Sequence, residues 1–201
     1  MSNHPLIRAV RSKNSSKVAK VLESGTSPQV DIQNKYYPLH TAAQYNAVKE
    51  MGLLHENGAH ANDEDHFGQT ALHVAASYGS ALALKKLLLI GANPRRTDRN
   101  GNTPLHLAAH LSSGRAQQTL LEDLISAGAD VNARNNDGVT PLHLAVQSGS
   151  IEAVKLLLDN NANPSILTKN KSSALDFART ADKKQLQGLL NTKSRSQGPT
   201  L

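Results

Sequence analysis

The chain has no cysteine and no tryptophan, and aromatic residues make up only 3% of its 201 residues. Without cysteine it can form neither a disulfide bond nor a cysteine-ligated zinc site, and no thiol can act as a nucleophile. Its hydrophobic content of 38% therefore comes mainly from leucine, alanine, valine and isoleucine. Because small alanine side chains let helices approach closely, this composition favours a core made of packed helices.

Long apolar runs are also missing from the sequence. No stretch approaches the roughly 18 apolar residues that a membrane-spanning helix needs. Residues 1–8 lack the apolar segment of a signal peptide. We therefore expect no membrane insertion and a cytoplasmic or nuclear location, and the absence of cysteine is consistent with a reducing compartment.

The net charge of +6 is unevenly distributed. Residues 1–20 carry five basic residues and no acidic one, and residues 169–201 carry seven basic residues against two acidic ones. One interpretation is that terminal units of a repeat protein need a solvated outer face. The other is an anionic partner such as nucleic acid. A mildly acidic middle separates the two basic ends, so we favour the first interpretation and expect no nucleic-acid partner.

A short phrase of the form Leu-His-x-Ala-Ala recurs along the chain. Its first leucines, including those of two weaker copies, are Leu6, Leu39, Leu72, Leu105, Leu142 and Leu175. Successive leucines are 33 residues apart, except for one interval of 37. A period in this range is typical of a solenoid built from stacked copies of one unit. The predicted units are 1–31, 32–64, 65–97, 98–134, 135–167 and 168–191.

One unit shows the predicted local structure. Thr70 stands where a helix N-cap belongs, because its hydroxyl can accept a hydrogen bond from a free backbone N–H group. A short helix follows, and a second helix over about 80–90 places Leu84 and Leu87 on one face. Gly91 then ends that helix in a left-handed conformation. Each unit is therefore predicted to be a turn, a short helix, a longer helix and a cap.

These features resemble the ankyrin repeat, most closely at Gly-Asn-Thr-Pro-Leu-His-Leu-Ala-Ala (101–109) and Gly-Ala-Asp-Val-Asn-Ala (128–133). The resemblance implies an all-α ankyrin-repeat solenoid of stacked antiparallel helix pairs with projecting β-hairpin fingers. It also implies a concave face that binds other proteins. The ankyrin-repeat domain is predicted over 1–191, with its first and last units acting as caps. A disordered tail is predicted over 192–201.

Two units depart from the pattern. In the second, Tyr37 replaces the capping threonine and Lys35 replaces the glycine of the turn, so its finger is expected to be irregular. The fourth has four extra residues around 110–115. These are expected to bulge out of the loop between its two helices.

Histidine occurs at one fixed position in four units. A catalytic histidine is needed once, and the resemblance implies instead that these side chains brace the turns of adjacent units: His40, His73, His106 and His143. A metal site at His55, His60 and His66 with the acidic run 63–65 is disfavoured, because that stretch spans a helix end and a finger. No catalytic residue, cofactor or metal ligand is therefore predicted.

Candidate binding residues follow from position within the unit. In ankyrin-like units the concave face receives residues six, five and three before the marker leucine, and five and six after it. Four of the six aromatic residues take such positions within 36–78, and clustered exposed aromatics are typical of interface hot spots. Alternatively, Tyr36, Tyr45 and Tyr78 only pack together over alanine-rich helices. The predicted protein-binding residues are Tyr36, Tyr45, His66, Phe67, Gln69, Tyr78, Arg99 and His110.

The expected function is that of a monomeric, non-catalytic module that binds another protein as a regulator, inhibitor or targeting adaptor. One alternative is a nucleic-acid-associated regulator that uses the basic ends. Another is a bacterial protein that acts inside host cells. An enzyme built on the stack has support only from the histidine-rich stretch.

Overall fold

The computed structural model describes residues 4–31, 33, 36–180 and 183–196. Within them the chain forms helices and no sheet, in line with the all-α prediction. The helices are α1 (Pro5–Arg11), α2 (Ser15–Glu23), α3 (Pro38–Gln44), α4 (Val48–Glu56), α5 (Ala71–Ser77), α6 (Ala81–Leu89), α7 (Pro104–His110), α8 (Arg115–Ser126), α9 (Pro141–Ser148), α10 (Ile151–Asp159), α11 (Ala174–Thr180) and α12 (Lys184–Ser196).

The helices group into two compact units, the first formed by Met1–Arg99 and the second by Asn100–Leu201. Each unit contains three helix pairs. In the first unit, α1, α3 and α5 contact one another in succession, and so do α2, α4 and α6. In the second unit, α7, α9 and α11 form one such row, and α8, α10 and α12 form the other. Leucine and alanine side chains between the rows make up the core.

The first helix of each central pair is short because strong signals define both of its ends. Helices α5, α7 and α9 begin with a capping box, in which a threonine and the histidine three residues later bond to each other's backbone N–H groups. Gly79 and Gly149 follow α5 and α9 in a left-handed conformation, with φ of 70° and 79°. After α3, Asn46 adopts the left-handed conformation instead of a glycine, with φ of 52°.

The turn before α5 is held by one carboxylate. Oδ1 of Asp65 accepts hydrogen bonds from the backbone N–H groups of Phe67 and Gln69, at 2.8 and 2.9 Å. Gly68 lies at φ 73°, which glycine adopts without strain. Only an isolated bridge, between Glu64 and Thr70, pairs the two arms of this finger.

The finger before α3 has a different register. Asp31 and Tyr36 exchange both backbone hydrogen bonds at 2.9 Å. Tyr36 lies three residues before its marker leucine, whereas Thr70 lies two residues before its own. The bridge before α3 therefore closes a loop of four residues, whereas the bridge before α5 closes a loop of five. Lys35, on which the expected irregularity was based, lies outside the described residues.

The four extra residues of the fourth unit do not bulge out of the loop, so that prediction is wrong. They mainly lengthen the second helix, since α8 has 12 residues where α6 has 9. The side chain of Gln117 is buried at the start of α8. It donates to the carbonyl oxygens of Ala109 at 3.1 Å and Leu111 at 2.8 Å, which holds the loop against the helices.

The last helix continues beyond residue 191, the predicted end of the domain, to Ser196. Between Gly188, which α12 passes through, and Gly198 the sequence contains neither glycine nor proline, so no breaker lies at the predicted end. Residues 197–201 lie outside the described residues. No helix in the described part of the chain is both long enough and apolar enough to cross a membrane.

Candidate binding site

The first unit carries a cavity of about 360 Å³ on the side of α1, α3 and α5. These helices and the turn before α5 contribute the lining residues. Those that matter chemically are Arg11, Tyr37, His40, Phe67, Gln69 and Tyr78. Three predicted binding residues thus line one concavity, namely Phe67, Gln69 and Tyr78.

Two aromatic side chains on the cavity wall are well exposed. Phe67 is 58% exposed and Tyr78 is 60% exposed. Phe67 lies in the turn before α5, and Tyr78 directly follows α5, so one short helix separates them along the chain. Large aromatic side chains bury much apolar area when a partner covers them, at a small cost in conformational entropy.

His66 links the turn to the helix next to it. Its Nδ1 lies 3.1 Å from the hydroxyl of Tyr37, and the two rings are stacked. The ring centroids of His66 and Phe67 are 3.7 Å apart. His66 therefore packs against the exposed Phe67 ring, and Tyr37 holds His66 in place.

Tyr36 does not belong to this surface, and the prediction that it faces the binding side is wrong. It is only 7% exposed, its hydroxyl donates to the carbonyl oxygen of Ser27 at 2.6 Å, and its ring lies 4.4 Å from that of His4. Burial raises the pKa of its phenol above the ordinary value. Its backbone pairs with Asp31, and its side chain packs against His4 and the 27–31 segment instead of lining the cavity.

Tyr37 takes the place predicted for Tyr36, and sequence reasoning missed it. It was assigned to the capping position, where threonine occurs in later units. Its side chain makes no capping bond and instead lines the cavity. The sequence alone does not show which of two adjacent tyrosines lines the cavity, because that depends on the register of the turn.

Arg11 is a second lining residue that was missed, although a sequence signal for it existed. It lies five residues after Leu6, which is one of the positions assigned to the binding face in the other units. The first unit was interpreted only as a cap. Applying the same positional rule to it would have identified Arg11.

The remaining predicted residues lie outside the cavity lining. Tyr45 follows α3 and is 39% exposed. Arg99 is exposed, and its backbone N–H donates to the carbonyl oxygen of Phe67 at 3.1 Å, so its backbone lies beside the turn. His110 is exposed at the end of α7, in the second unit, and takes no part in this site.

The four repeated histidines are buried and have structural partners. Nδ1 of His73, His106 and His143 accepts from the backbone N–H of the threonine three residues earlier, at 3.1 to 3.2 Å. Nε2 of His106 lies 3.0 Å from the carbonyl oxygen of Val139, in the turn of the next helix pair. The equivalent contact of His40 is with the carbonyl oxygen of Gln69, at 2.8 Å.

His40 differs from the other three histidines in the hydrogen bonding of its Nδ1 atom. Its Nδ1 is buried without a hydrogen-bond partner among the described residues, because Tyr37 replaces the threonine that would fill this role. Burial lowers the pKa of His40, since the charged form loses its hydration. With a neutral ring that donates from Nε2, Nδ1 retains a free lone pair.

Comparison with known families gives one match. A family model of ankyrin repeats, in three copies, matches residues 6–93, 80–170 and 111–192. A comparison with curated proteins gives no match. The matched residues span both compact units.

Proposed function

Because the chain belongs to the ankyrin-repeat family, we propose that it is a non-catalytic module that binds another protein through the cavity face of its first unit. Ankyrin repeats are generally protein–protein interaction modules. Roles as a regulator, an inhibitor or a targeting adaptor differ in the partner that is bound and are all compatible with this face.

The exposed aromatic pair is the observation that carries the proposal. Phe67 and Tyr78 leave more than half of their surface in solvent while they line a cavity between packed helices. Binding energy at interfaces is concentrated in a few aromatic and arginine side chains near well-packed pockets. Tyr45 directly follows α3 outside the cavity lining and adds a third exposed aromatic side chain.

The use of the histidines supports a non-catalytic role. His73, His106 and His143 each accept a hydrogen bond from the N-terminal backbone of their own helix, and burial lowers the pKa of His143 as well as that of His40. A general acid or base needs a ring nitrogen that substrate can reach. These rings are committed to holding turns and helix ends.

The test is a triple variant in which Tyr45, Phe67 and Tyr78 are replaced by alanine. We expect it to bind the partner more weakly by over about 2 kcal/mol in sum. The partner is first isolated by affinity capture on the wild-type chain, and the dissociation constants are then measured by calorimetry with purified proteins.

The matched control replaces Leu82 and Leu89 with alanine. These are the exposed leucines of α6, at 66% and 79% exposure, and neither lines the cavity. Their truncation removes exposed apolar surface outside the cavity lining and should leave affinity unchanged. Equal affinity of the triple variant and the wild type, with both folded by circular dichroism, would refute the proposed site.

A further inference from the structure

The cavity lining contains an arginine that forms no ion pair with any residue the structure describes. Arg11 is the last residue of α1 and is half-buried. Its Nε is buried and has no hydrogen-bond partner among the described residues, and no ion pair joins its guanidinium to any of them. Arg11 lines the cavity and is only half-buried, so a negatively charged ligand in the cavity would supply the counter-charge that its guanidinium lacks among the described residues.

A second unpartnered nitrogen belongs to the same cavity lining. His40 is 5% exposed, and its Nδ1 lacks the threonine contacts that the Nδ1 of His73 has. Native structures leave few buried polar atoms unpaired. Because Nε2 donates to Gln69, Nδ1 of this neutral ring is an acceptor that could pair with an N–H or O–H donor of a partner but not with a carboxylate. The case for an acidic ligand is therefore made by Arg11.

We infer that this cavity receives the carboxylate side chain of an aspartate or glutamate on the partner protein, bound by Arg11. An apolar residue next to that acid packs on Phe67 and Tyr78. The planar guanidinium matches the geometry of a carboxylate, and partial exclusion of water strengthens the pair. This inference rests on the proposed function, because it specifies the chemistry of the partner at that face.

The charges around the cavity favour an acidic occupant over a basic one. Residues 4–20 carry five basic residues and no acidic one, so α1 and α2 produce a positive potential. Asp65 is the acidic residue in the lining, and two backbone N–H groups already donate to its Oδ1. The neutral ring of His40 adds no charge. A lysine or arginine of a partner would instead face Arg11 directly.

The experiment selects peptides from a random phage-displayed library on the full-length chain. We expect the selected peptides to share an aspartate or glutamate beside an apolar residue. One such peptide is then synthesised together with a twin that carries asparagine or glutamine in place of the acid. The affinities of both peptides are measured by fluorescence anisotropy for the wild type and for Arg11→Gln.

These four affinities form a double-mutant cycle that isolates the pair. Loss of the acid and loss of Arg11 should each weaken binding about tenfold or more. The two losses together should weaken it little further than either alone. Arg11→Lys keeps the positive charge but loses the planar guanidinium group. Its affinity for the acidic peptide should lie between that of the wild type and that of Arg11→Gln.

Arg8→Gln is the matched control, because it removes the same charge one turn earlier in α1 from a residue outside the cavity lining. It should change peptide affinity by less than about threefold. Circular dichroism verifies that each variant is folded. Losses that add independently in the cycle, or equal losses in Arg8→Gln and Arg11→Gln, would overturn the inference.

The other outcomes separate this inference from the proposed function. Peptides without acids that still require Phe67 and Tyr78 would refute the carboxylate and leave the binding face standing. Selection of no peptides, or of peptides indifferent to both aromatics, counts against both. A concentration-dependent dimer that Arg11→Gln abolishes would assign the cavity to a second copy of the chain, and the inference of a partner acid would be wrong.

Discussion

Single residues decide how each short helix begins. In the pairs that start with threonine, the hydroxyl and the histidine three residues later satisfy backbone groups that would otherwise be left unpaired at the helix start. Where Tyr37 replaces the threonine, the backbone adopts a different conformation, with ψ of 73° instead of about 165°, and Nδ1 of the following histidine loses its partner. One change from threonine to tyrosine thus removes a cap and contributes a ring to the cavity.

Replacing Thr103 with alanine should lower the free energy of unfolding by about 1–2 kcal/mol. The change removes the N-cap hydroxyl of α7 and leaves Nδ1 of His106 with one contact fewer. Urea unfolding of the variant and of Thr119→Ala provides the comparison, because the Thr119 hydroxyl bonds only within the exposed face of α8. Equal stabilities of the two variants would contradict the role of the cap.

His40 should make stability depend on pH. Because burial lowers its pKa, the unfolded chain takes up the proton more readily than the folded one as the pH falls. The stabilisation is fully present above the unfolded value of about 6.5 and is lost as the pH falls from there toward the folded value.

The measurement is urea unfolding at about pH 7.5 and about pH 5.5 for the wild type and for His40→Gln. The variant should lose less stability between the two conditions than the wild type. Part of the pH dependence of stability that remains in the variant comes from His143, because burial lowers its pKa as well. His60 is exposed, so His60→Gln should retain the wild-type dependence. An identical pH dependence in His40→Gln and the wild type would exclude His40 as the source.

At the scale of the helices, the fourth unit shows how an insertion is absorbed. Its extra residues extend α8 by most of a turn, because a helix satisfies its own backbone groups whereas a longer loop would not. The carbonyl oxygens of Ala109, near the end of α7, and of Leu111, in the loop, are then bonded by the buried side chain of Gln117.

Replacing Gln117 with alanine should therefore destabilise the chain by about 1–3 kcal/mol. The carbonyl oxygen of Leu111 loses the amide donor of Gln117, and that of Ala109 keeps only the longer bond from the Ser148 hydroxyl at 3.3 Å. Gln118→Ala is the matched control, because the neighbouring side chain is exposed and bonds only to Glu122. Hydrogen exchange at the start of α8 should rise only in Gln117→Ala. Comparable exchange in both variants would show that Gln117 does not hold the loop.

At the scale of the whole molecule, stability and binding depend on different residues. Leucines and alanines between the two rows of helices form the core of each compact unit. The aromatic residues of the proposed binding face lie outside that core, since Tyr45 is 39% exposed and Phe67 and Tyr78 are more than half exposed. Variants of the binding face should therefore stay folded, which makes the tests of the proposed function interpretable.

Sequence reasoning placed the helix pairs well, because the period, the caps and the left-handed glycines are local signals. Gly91 has the positive φ predicted for its helix end, and the same conformation occurs at the equivalent ends of other units, at Gly25, Gly58, Gly128 and Asn161. Phe67, Gln69 and Tyr78 were also assigned to the binding face by position alone, and all three line one cavity.

Only the tertiary structure decided which tyrosine faces that cavity. Tyr36 and Tyr37 are the same residue type in adjacent positions, and a one-residue change in the pairing of a turn buries one and leaves the other in the lining. The same holds for the unpartnered nitrogens of Arg11 and His40. Hydrogen-bond satisfaction is a property of neighbours brought together by folding, and residues distant along the chain supply those neighbours.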